Sequence, residues 1–438
     1  MSSDVRCSVV LVAATALVWY ALRRRKARRV DRIARTVLTY LDKVLEAFAK
    51  PYSGEADDDD EGFLLLAVAE NKLTWPLLKP RLEAALSKPL PPWVANYGPM
   101  HGQPQCREVV ERFFQTYVSS RKVPCFLLTG VAACLTHLFA TILDEGDRVL
   151  VPAPYYAAFG YDLNALAGVQ VVPCDLDNLE RYAGEALLLT SPHNPSGEVY
   201  SSERLRKVAK FCEARKMHLV SDEIYALSTF RRTKTAPSFV SMLDVDDVAP
   251  ERRHVVWGMS KDFGMSGLRV GVVFSENPTV QAALSSLANF SSVSGVVQHL
   301  LIDLLSDHTW CDAFLRANRT ALDDAATLVE TRLEELGLPF VRPDAGMFLL
   351  VDLSEFLPNF HADEDAVYRH LADHYKLVLT PGESMGCAKK GWFRICFAWL
   401  GSMDTLQVAM DRIAHFVNAQ RQDAAKALVG AAAAVQKL

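Results

Sequence analysis

A chain of 438 residues is too long for one simple hydrophobic core, so its length predicts two domains. Half of its residues are hydrophobic, 23% are charged and the net charge is −5, so the composition is globular and lacks the basic excess typical of nucleic-acid binding. Nine cysteines occur without a CxxC pair, which argues against a zinc site or a disulfide framework and favours reduced thiols.

The N-terminal segment, residues 1–29, predicts a membrane anchor. Cys7–Leu22 is a run of 16 residues without a charge, at the short edge of the roughly 20 that a spanning helix needs. The basic cluster Arg23–Arg29 follows, and such clusters stay cytosolic, so the body of the protein is expected to face the cytosol from the endoplasmic reticulum or the mitochondrial outer membrane. A mitochondrial presequence and a frayed apolar helix on a cytoplasmic protein are the alternatives.

Residues 30–94 are predicted to form the N-terminal part of a small domain. Within them, residues 31–48 have the apolar spacing of an amphipathic helix, with Leu41, Val44 and Phe48 on one stripe. The acidic run Glu55–Glu61 is typical of a solvated loop.

From about residue 63, short apolar runs alternate with amphipathic stretches, which predicts βαβ units. The fold class is therefore α/β, a mainly parallel sheet flanked by helices, in a large domain over residues 95–335. The predicted strands are Leu127–Leu128, Val149–Val151, Val169–Val172, Ala186–Leu189, His218–Val220, Val255–Trp257 and Val270–Phe274, with helices at Val131–Leu143, Ser202–Arg215 and 279–336.

Residues 336–438 are predicted to form the rest of a smaller α+β domain. Strands at Met347–Val351 and Trp392–Phe397 alternate with helices at Asp363–His374 and Met403–Gln420. The alanine-rich tail from Ala424 onward is expected to be a fraying helix or disordered.

One lysine, Lys261, lies in a glycine-rich loop between two apolar strands. An ammonium is costly to take out of water, but a partly desolvated lysine loses its proton readily and can form a Schiff base with an aldehyde cofactor. Arg269 returns a permanent charge to the same loop, as a phosphate ligand requires. A surface loop between strands is the alternative explanation of this stretch alone.

Other polar residues follow the predicted strands in the same way. Asn194 comes after Ala186–Leu189, and Asp222 comes after His218–Val220. Each suits a turn or a helix cap when taken alone. Because ligands of open α/β sheets bind beyond the carboxyl ends of the strands, together they predict a ligand site at that edge.

Seven motifs give the chain a family resemblance that covers roughly residues 60–420. It resembles the fold-type I pyridoxal-phosphate enzymes of the class I/II aminotransferase superfamily, in particular the 1-aminocyclopropane-1-carboxylate (ACC) synthase-like branch. The motifs are LLLAVAENKL (64–73), NYGPMHGQPQCREVV (96–110), VPAPYYAAF (151–159), SPHNPSG (191–197), SDEIY (221–225), SKDFGMSGLRVG (260–271) and GWFRICFA (391–398).

The resemblance implies pyridoxal 5′-phosphate as cofactor and gives each motif a role. Lys261 would hold the cofactor and then carry the α-proton of the substrate. Asp222 would pair with the ring nitrogen and keep it protonated. Asn194 and Tyr225 would hydrogen-bond the phenolic oxygen of the cofactor. Tyr156, with Tyr155 as its near alternative, would stack on the ring.

The resemblance also assigns the phosphate, the substrate and a partner subunit. Arg269 and the amides of Ala132 and Ala133 would hold the phosphate. Tyr97 would reach that phosphate from the other subunit of a homodimer with shared active sites. The substrate-binding residues would be Arg394, as a bidentate fork for the α-carboxylate, and Glu70 on the substrate side.

Two departures from the family pattern fall in the phosphate site. Gly258 stands where the family has a serine, and Ala132 stands where the ACC synthase branch has a threonine. Both changes remove a hydroxyl donor, so we expect weaker cofactor retention, and restoring both hydroxyls is expected to tighten cofactor binding.

The implied function is chemistry at Cα of an α-amino acid. Transamination, the ACC synthase reaction and C–S lysis share the same electron sink, so the motifs do not separate them. A catalytically silent, membrane-tethered scaffold that keeps only the fold is the alternative of another class.

Overall fold

The computed structural model describes residues 41–54, 62–231 and 237–435. The predicted anchor in residues 1–29, the first part of the predicted amphipathic helix and the acidic run Glu55–Glu61 lie outside these ranges. Within the described ranges, no helix combines the length and the apolar character needed to cross a membrane.

A seven-stranded sheet forms the centre of the described chain. The strands, in chain order, are β1 Leu64–Leu65, β2 Cys125–Leu128, β3 Arg148–Pro152, β4 Gln170–Cys174, β5 Ala186–Thr190, β6 His218–Asp222, β7 Arg253–Gly258, β8 Gly271–Ser275, β9 Phe340–Val341, β10 Phe348–Asp352, β11 Leu377–Val378, β12 Thr380–Pro381 and β13 Trp392–Cys396. The central sheet has the order β2–β8–β7–β6–β5–β3–β4. Strand β8 runs in the direction opposite to the other six strands of this sheet, so the prediction of a mainly parallel sheet is confirmed.

Helices cover both faces of this sheet, so its strands are apolar on both sides. Leu187, Leu189 and Val255 join one hydrophobic core, while Leu188 and Val256 join the core on the other face. Strands buried on both faces read as unbroken apolar runs, as the sequence shows here. The helices are α1 Leu41–Ala49, α2 Trp75–Leu86, α3 Pro104–Tyr117, α4 Val131–Ile142, α5 Phe159–Asn164, α6 Ser202–Ala214, α7 Met259–Asp262, α8 Pro278–Leu287, α9 Gly295–Ser306, α10 His308–Glu335, α11 Glu364–Tyr375 and α12 Met403–Val435.

Two expectations about local structure are refined. The segment around Lys261 is not simply a loop, because Met259–Asp262 forms the short helix α7. Of the two forms expected for the alanine-rich tail, a helix and disorder, its described part takes the helical one, because α12 continues without a break to Val435. Alanine has the highest helix propensity, which explains the extension.

The smaller sheets join the two ends of the chain. The short strand β1 pairs in parallel with β11, with Leu64 opposite Leu377, and a separate antiparallel sheet has the order β12–β13–β10–β9. Helix α1 is fixed to α11 by ion pairs from Lys43 to Asp373 and from Arg369 to Asp42. The N-terminal residues therefore pack with C-terminal ones, while the domain boundaries after residues 94 and 335 stay a prediction.

Candidate active site

A cavity of about 260 Å³ opens at the carboxyl ends of β5, β6 and β7. The register of the sheet places Thr190 beside Asp222 and Asp222 beside Val256, so β5 and β6 end level and β7 ends two residues further on. The side chains that follow them therefore converge. The cavity is lined by eight of the residues that the sequence singled out: Ala132, Tyr156, Asn194, Asp222, Tyr225, Lys261, Arg269 and Arg394.

Lys261 is positioned by its neighbour Asp262. The Asp262 carboxylate is fully buried and accepts hydrogen bonds from Trp257 Nε1 at 2.9 Å, Ser228 Oγ at 2.7 Å and the Leu227 backbone N–H at 3.2 Å. These bonds tie α7 to β7 and to the turn after Tyr225, so the lysine projects from a fixed backbone. Sequence reasoning assigned no role to this aspartate.

The amine of Lys261 has an environment suited to proton transfer. It donates a hydrogen bond to the carbonyl oxygen of Ala69. Burial lowers its pKa to about 8, because the surrounding walls replace the water that would stabilise the ammonium. An amine in this range exchanges its proton near neutral pH and is a stronger nucleophile than an exposed lysine.

Asp222 ends β6 at the bottom of the cavity. Its Oδ1 accepts a hydrogen bond from the Ile224 backbone N–H at 3.3 Å. Burial raises its pKa to about 7, and the carboxyl of Asp162, which also lines the cavity, adds to the increase. Burial likewise raises the pKa of Asp162 to about 6. A cationic ligand group beside Asp222 would restore its charged form.

Arg394 reaches the cavity from β13 in the antiparallel sheet and is only 3% exposed. Its Nη1 donates to Asn194 Oδ1 at 2.9 Å, and its Nη2 donates to the Ala67 carbonyl oxygen at 2.5 Å and to Thr380 Oγ1 at 3.2 Å. Its buried Nε has no hydrogen-bond partner among the described residues. The planar fork is thus oriented in advance, as recognition of a carboxylate requires.

The other end of the cavity is open to solvent. Ala132 and Arg269 are exposed there, at the N-terminus of α4. Gly130 precedes α4 with a φ of 91°, and a Cβ at this position would overlap the guanidinium of Arg269. Glycine therefore lets the guanidinium approach the free N–H groups of the helix, and this combination favours an anion. We call Gly130, Ala132 and Arg269 the open end, and Asn194, Asp222, Lys261 and Arg394 the buried end.

The structure gives Gly258 a packing role. A Cβ on this residue would lie 2.6 Å from the carbonyl oxygen of Val270, closer than such contacts allow. The residue pairs with Gly271 across β7 and β8, so glycine permits the close approach of these strands. A serine here requires the strands to separate.

The remaining predicted residues take different positions. Tyr156 lines the cavity, with its ring centroid 5.3 Å from that of Phe159, whereas Tyr155 and Ala133 do not line it. Glu70 does not line the cavity but a neighbouring pocket, where its carboxylate accepts a hydrogen bond from Ser266 Oγ, and Ser266 lines both. Tyr97 is 97% exposed and away from the cavity of its own chain.

Sequence reasoning missed an apolar wall. Leu41 and Val44 of α1 line the cavity together with Ala67, Val68 and Ala69. The helical spacing of α1 predicted an apolar face, but not the surface that this face would meet. Within the described ranges, no group of three or more side chains is arranged to hold a metal ion.

The architecture and the composition of the site define a class. A mainly parallel sheet carries a lysine after β7 and an aspartate at the end of β6, and a second sheet supplies an arginine. This is the arrangement of fold-type I pyridoxal-phosphate enzymes, as the sequence motifs imply. The chain belongs to the aminotransferase class I and II family, whose model matches residues 67–413.

Similar proteins place the chain in the ACC synthase-like branch of this family. Mouse 1-aminocyclopropane-1-carboxylate synthase-like protein 1 is 32% identical over 421 residues, which span 89% of this chain and 83% of that protein. Human probable inactive 1-aminocyclopropane-1-carboxylate synthase-like protein 2 is 32% identical over 397 residues, which span 84% and 69% respectively. Among solved structures, a double mutant of aspartate aminotransferase from Thermus thermophilus has a TM-score of 0.74 at 25% identity and covers 89% of this chain and 98% of its own.

Proposed function

We propose that this chain is an active pyridoxal-phosphate-dependent enzyme that labilises Cα of an α-amino acid, with amino transfer as its reaction. One observation carries the proposal, namely that Lys261, Asp222 and Arg394 converge on a single cavity from three different elements. A cavity that served only packing would not collect an amine, a carboxyl and a guanidinium in apolar surroundings.

The residues of the cavity fit the cofactor at both ends. The open end offers helix N–H groups and Arg269 to a phosphate, and the buried end offers Asp222 to a basic ring nitrogen. Asn194 and Tyr225 would hold the phenolic oxygen, and Tyr156 would cover a ring face. When bound, pyridoxal phosphate supplies an electron sink for the bonds at Cα.

The chain's own groups account for substrate positioning and proton transfer. Arg394 holds the α-carboxylate and thereby fixes which bond at Cα points toward Lys261. Lys261, with a pKa of about 8, takes up and returns the α-proton near neutral pH. Burial of Asn194 and Arg394 keeps water away from this step.

The ACC synthase reaction is the second candidate. It is favoured by the name of the mouse relative and by Glu70, which the family resemblance assigns to the substrate side and whose hydrogen-bond partner Ser266 lines the cavity. C–S lysis would use the same groups. Incubation of the full chain with pyridoxal phosphate, followed by product analysis from S-adenosylmethionine and from a panel of amino acids with 2-oxo acids, separates the three reactions.

A silent scaffold is the outcome that would overturn the proposal, and the name of the human relative makes the test necessary. An active enzyme develops the absorbance of lysine-bound cofactor when pyridoxal phosphate is added, and this absorbance changes with amino acid. A protein that shows neither change keeps only the fold.

We propose further that the enzyme is a homodimer in which Tyr97 completes the partner's phosphate site. Its near-complete exposure, away from its own cavity, supports an intersubunit role. If Lys261→Ala and Tyr97→Ala dimers are inactive alone, mixing them with subunit exchange should recover about a quarter of normal activity, because each mixed dimer has one intact site. If Tyr97 acts within its own subunit, no activity returns.

We also propose that residues 1–29 tether the enzyme to a membrane with its catalytic part in the cytosol. The uncharged run Cys7–Leu22 and the basic cluster after it support this proposal. Full-length protein should stay in the membrane pellet after carbonate extraction, and a chain starting at Val30 should be soluble and active. Full-length protein found wholly in the soluble fraction contradicts the tether.

A further inference from the structure

We infer that the enzyme selects amino acids with apolar side chains, and that Leu41 of α1 is a specificity-determining residue. This inference rests on the proposed function, because it takes Arg394 as the ligand of the substrate α-carboxylate. It names the substrate class, which neither the family nor the reaction fixes.

The position of the substrate side chain follows from two contacts. Arg394 Nη2 donates to the Ala67 carbonyl oxygen, and the Lys261 amine donates to the Ala69 carbonyl oxygen. The segment 67–69 therefore runs between the group that holds the carboxylate and the group that reaches Cα. A side chain leaving Cα beside this segment meets Val68 and the facing residues of α1.

That wall is apolar. Leu41 and Val44 of α1 line the cavity, and Val68 belongs to the same lining. Val44 is buried and Leu41 is half-buried, so both are packed in place. Two ion pairs attach α1 to α11. The position of the apolar wall is therefore set by the fold.

No cation is left in the described part of the cavity for a second carboxylate. The three cations that line it are Lys261, Arg269 and Arg394, and each has a role with the cofactor or the α-carboxylate. Asp162 and Asp222 add negative charge to the same lining. An acidic side chain would be desolvated without a partner, which is strongly unfavourable, whereas an aliphatic one would exchange water for apolar contact.

The binding of two carboxylic acids tests the preference for an apolar side chain without any turnover. 4-Methylpentanoate and succinate have the carbon frames of leucine and aspartate without the amino group, and they differ only in two methyl groups replaced by two carboxylate oxygens. Calorimetric titration of the full chain with pyridoxal phosphate bound should give an affinity for 4-methylpentanoate at least about tenfold higher than for succinate. Equal or tighter binding of succinate overturns the inference, including the case in which a partner subunit supplies a cation.

Variants of α1 assign the selectivity to the wall. Leu41→Arg should shift the affinity ratio toward succinate by about tenfold or more, because it places a cation beside the side-chain site. Leu45→Arg is the matched control, since Leu45 is 59% exposed on the same helix and does not line the cavity. If circular dichroism shows that Leu41→Arg is unfolded, Val68→Arg makes the same test from another residue of the apolar lining.

Either an unchanged ratio in a folded wall variant or an equal shift in Leu45→Arg overturns the role of α1. The outcome stays distinguishable from failure of the proposed function. That failure is a lack of the absorbance of lysine-bound cofactor, or of its response to leucine, methionine and aspartate alike. The affinity ratio of the two acids remains measurable, on the chain without cofactor where none binds.

Discussion

At the buried end of the cavity, Asn194 and Arg394 bind each other across two sheets, and Asp222 is enclosed at the end of β6. At the open end, Arg269 is exposed and its Nη1 donates a hydrogen bond to the carbonyl oxygen of Ser266 at 3.0 Å. The buried end relies on side chains held by several partners, whereas the open end relies on a helix terminus and one guanidinium. The comparison indicates that substitutions at the two ends should affect different steps, namely the reaction at one end and cofactor retention at the other.

The largest effect is expected from Lys261→Ala at the buried end. On the proposed function, the α-proton would then have no carrier and the cofactor no covalent attachment, so turnover should fall by at least about 10²–10⁴-fold. Borohydride reduction and peptide mapping of the wild type should place the cofactor label on Lys261. A label on another lysine contradicts the assignment.

Asp222→Asn should be the next most damaging change to turnover. It keeps the shape but removes the charge that would hold the ring nitrogen protonated, so we expect a loss of roughly 10²-fold or more while the cofactor still binds. Near-normal turnover would mean that another group supports the ring nitrogen. Cofactor binding measured by absorbance separates the two effects.

Substitution of Asp262 tests whether the buried end depends on a rigid set of hydrogen bonds, unlike the open end. Asp262→Ala leaves three buried donors without an acceptor and should reduce the free energy of unfolding by about 3–5 kcal/mol, with a loss of turnover. Asp262→Asn is the matched variant. Its Oδ1 can accept from Trp257 and Leu227, while its Nδ2 donates to the hydroxyl of Ser228. Equal destabilisation by both variants would contradict this hydrogen-bond assignment.

A pH dependence should follow from Asp222 in the cofactor-free protein. Its folded pKa of about 7 lies above the unfolded value near 4, so the buried charge opposes folding above pH 7 and has no effect below pH 4. Stability should therefore fall by about 4 kcal/mol between these limits, and Asp222→Asn should remove this part of the slope. Chemical denaturation at pH 5 and pH 8 measures it. Identical slopes in both proteins would contradict the buried charge.

The smallest effect is expected at the open end. The sequence predicts that both restored hydroxyls tighten cofactor binding, whereas the structure supports this only for Ala132. Ala132→Thr can place a hydroxyl in the cavity and should tighten pyridoxal-phosphate binding by about tenfold, the value of one hydrogen bond to a charged group. Gly258→Ser should instead lower stability, because its Cβ meets the Val270 carbonyl oxygen. Apoprotein titration and thermal unfolding compare the two. Tighter cofactor binding in a stable Gly258→Ser variant would show that β7 and β8 can separate with little loss in the free energy of unfolding.

The sequence predicted the part of the site that depends on the edge of the sheet. Asn194, Asp222 and Lys261 each follow an apolar run, and the carboxyl ends of parallel strands share one edge, so their convergence was predictable. The wall formed by Leu41 was not, because α1 is placed by ion pairs to residues more than 300 positions away. The role of Gly258 was hidden for the same reason, since its close contact exists only when β7 and β8 are paired.

The pairing of β1 with β11 sets the order in which the protein can mature. Leu64 finds its partner Leu377 only after about 300 further residues have been made. At typical synthesis rates this is a delay of roughly 15–60 s, during which the central sheet can fold but α1 and β1 have no docking partner. The wall for the substrate side chain and the site of Arg394 are therefore both completed only late in synthesis. A ribosome-bound chain stopped before β11 would hold cofactor-binding elements without a completed substrate site.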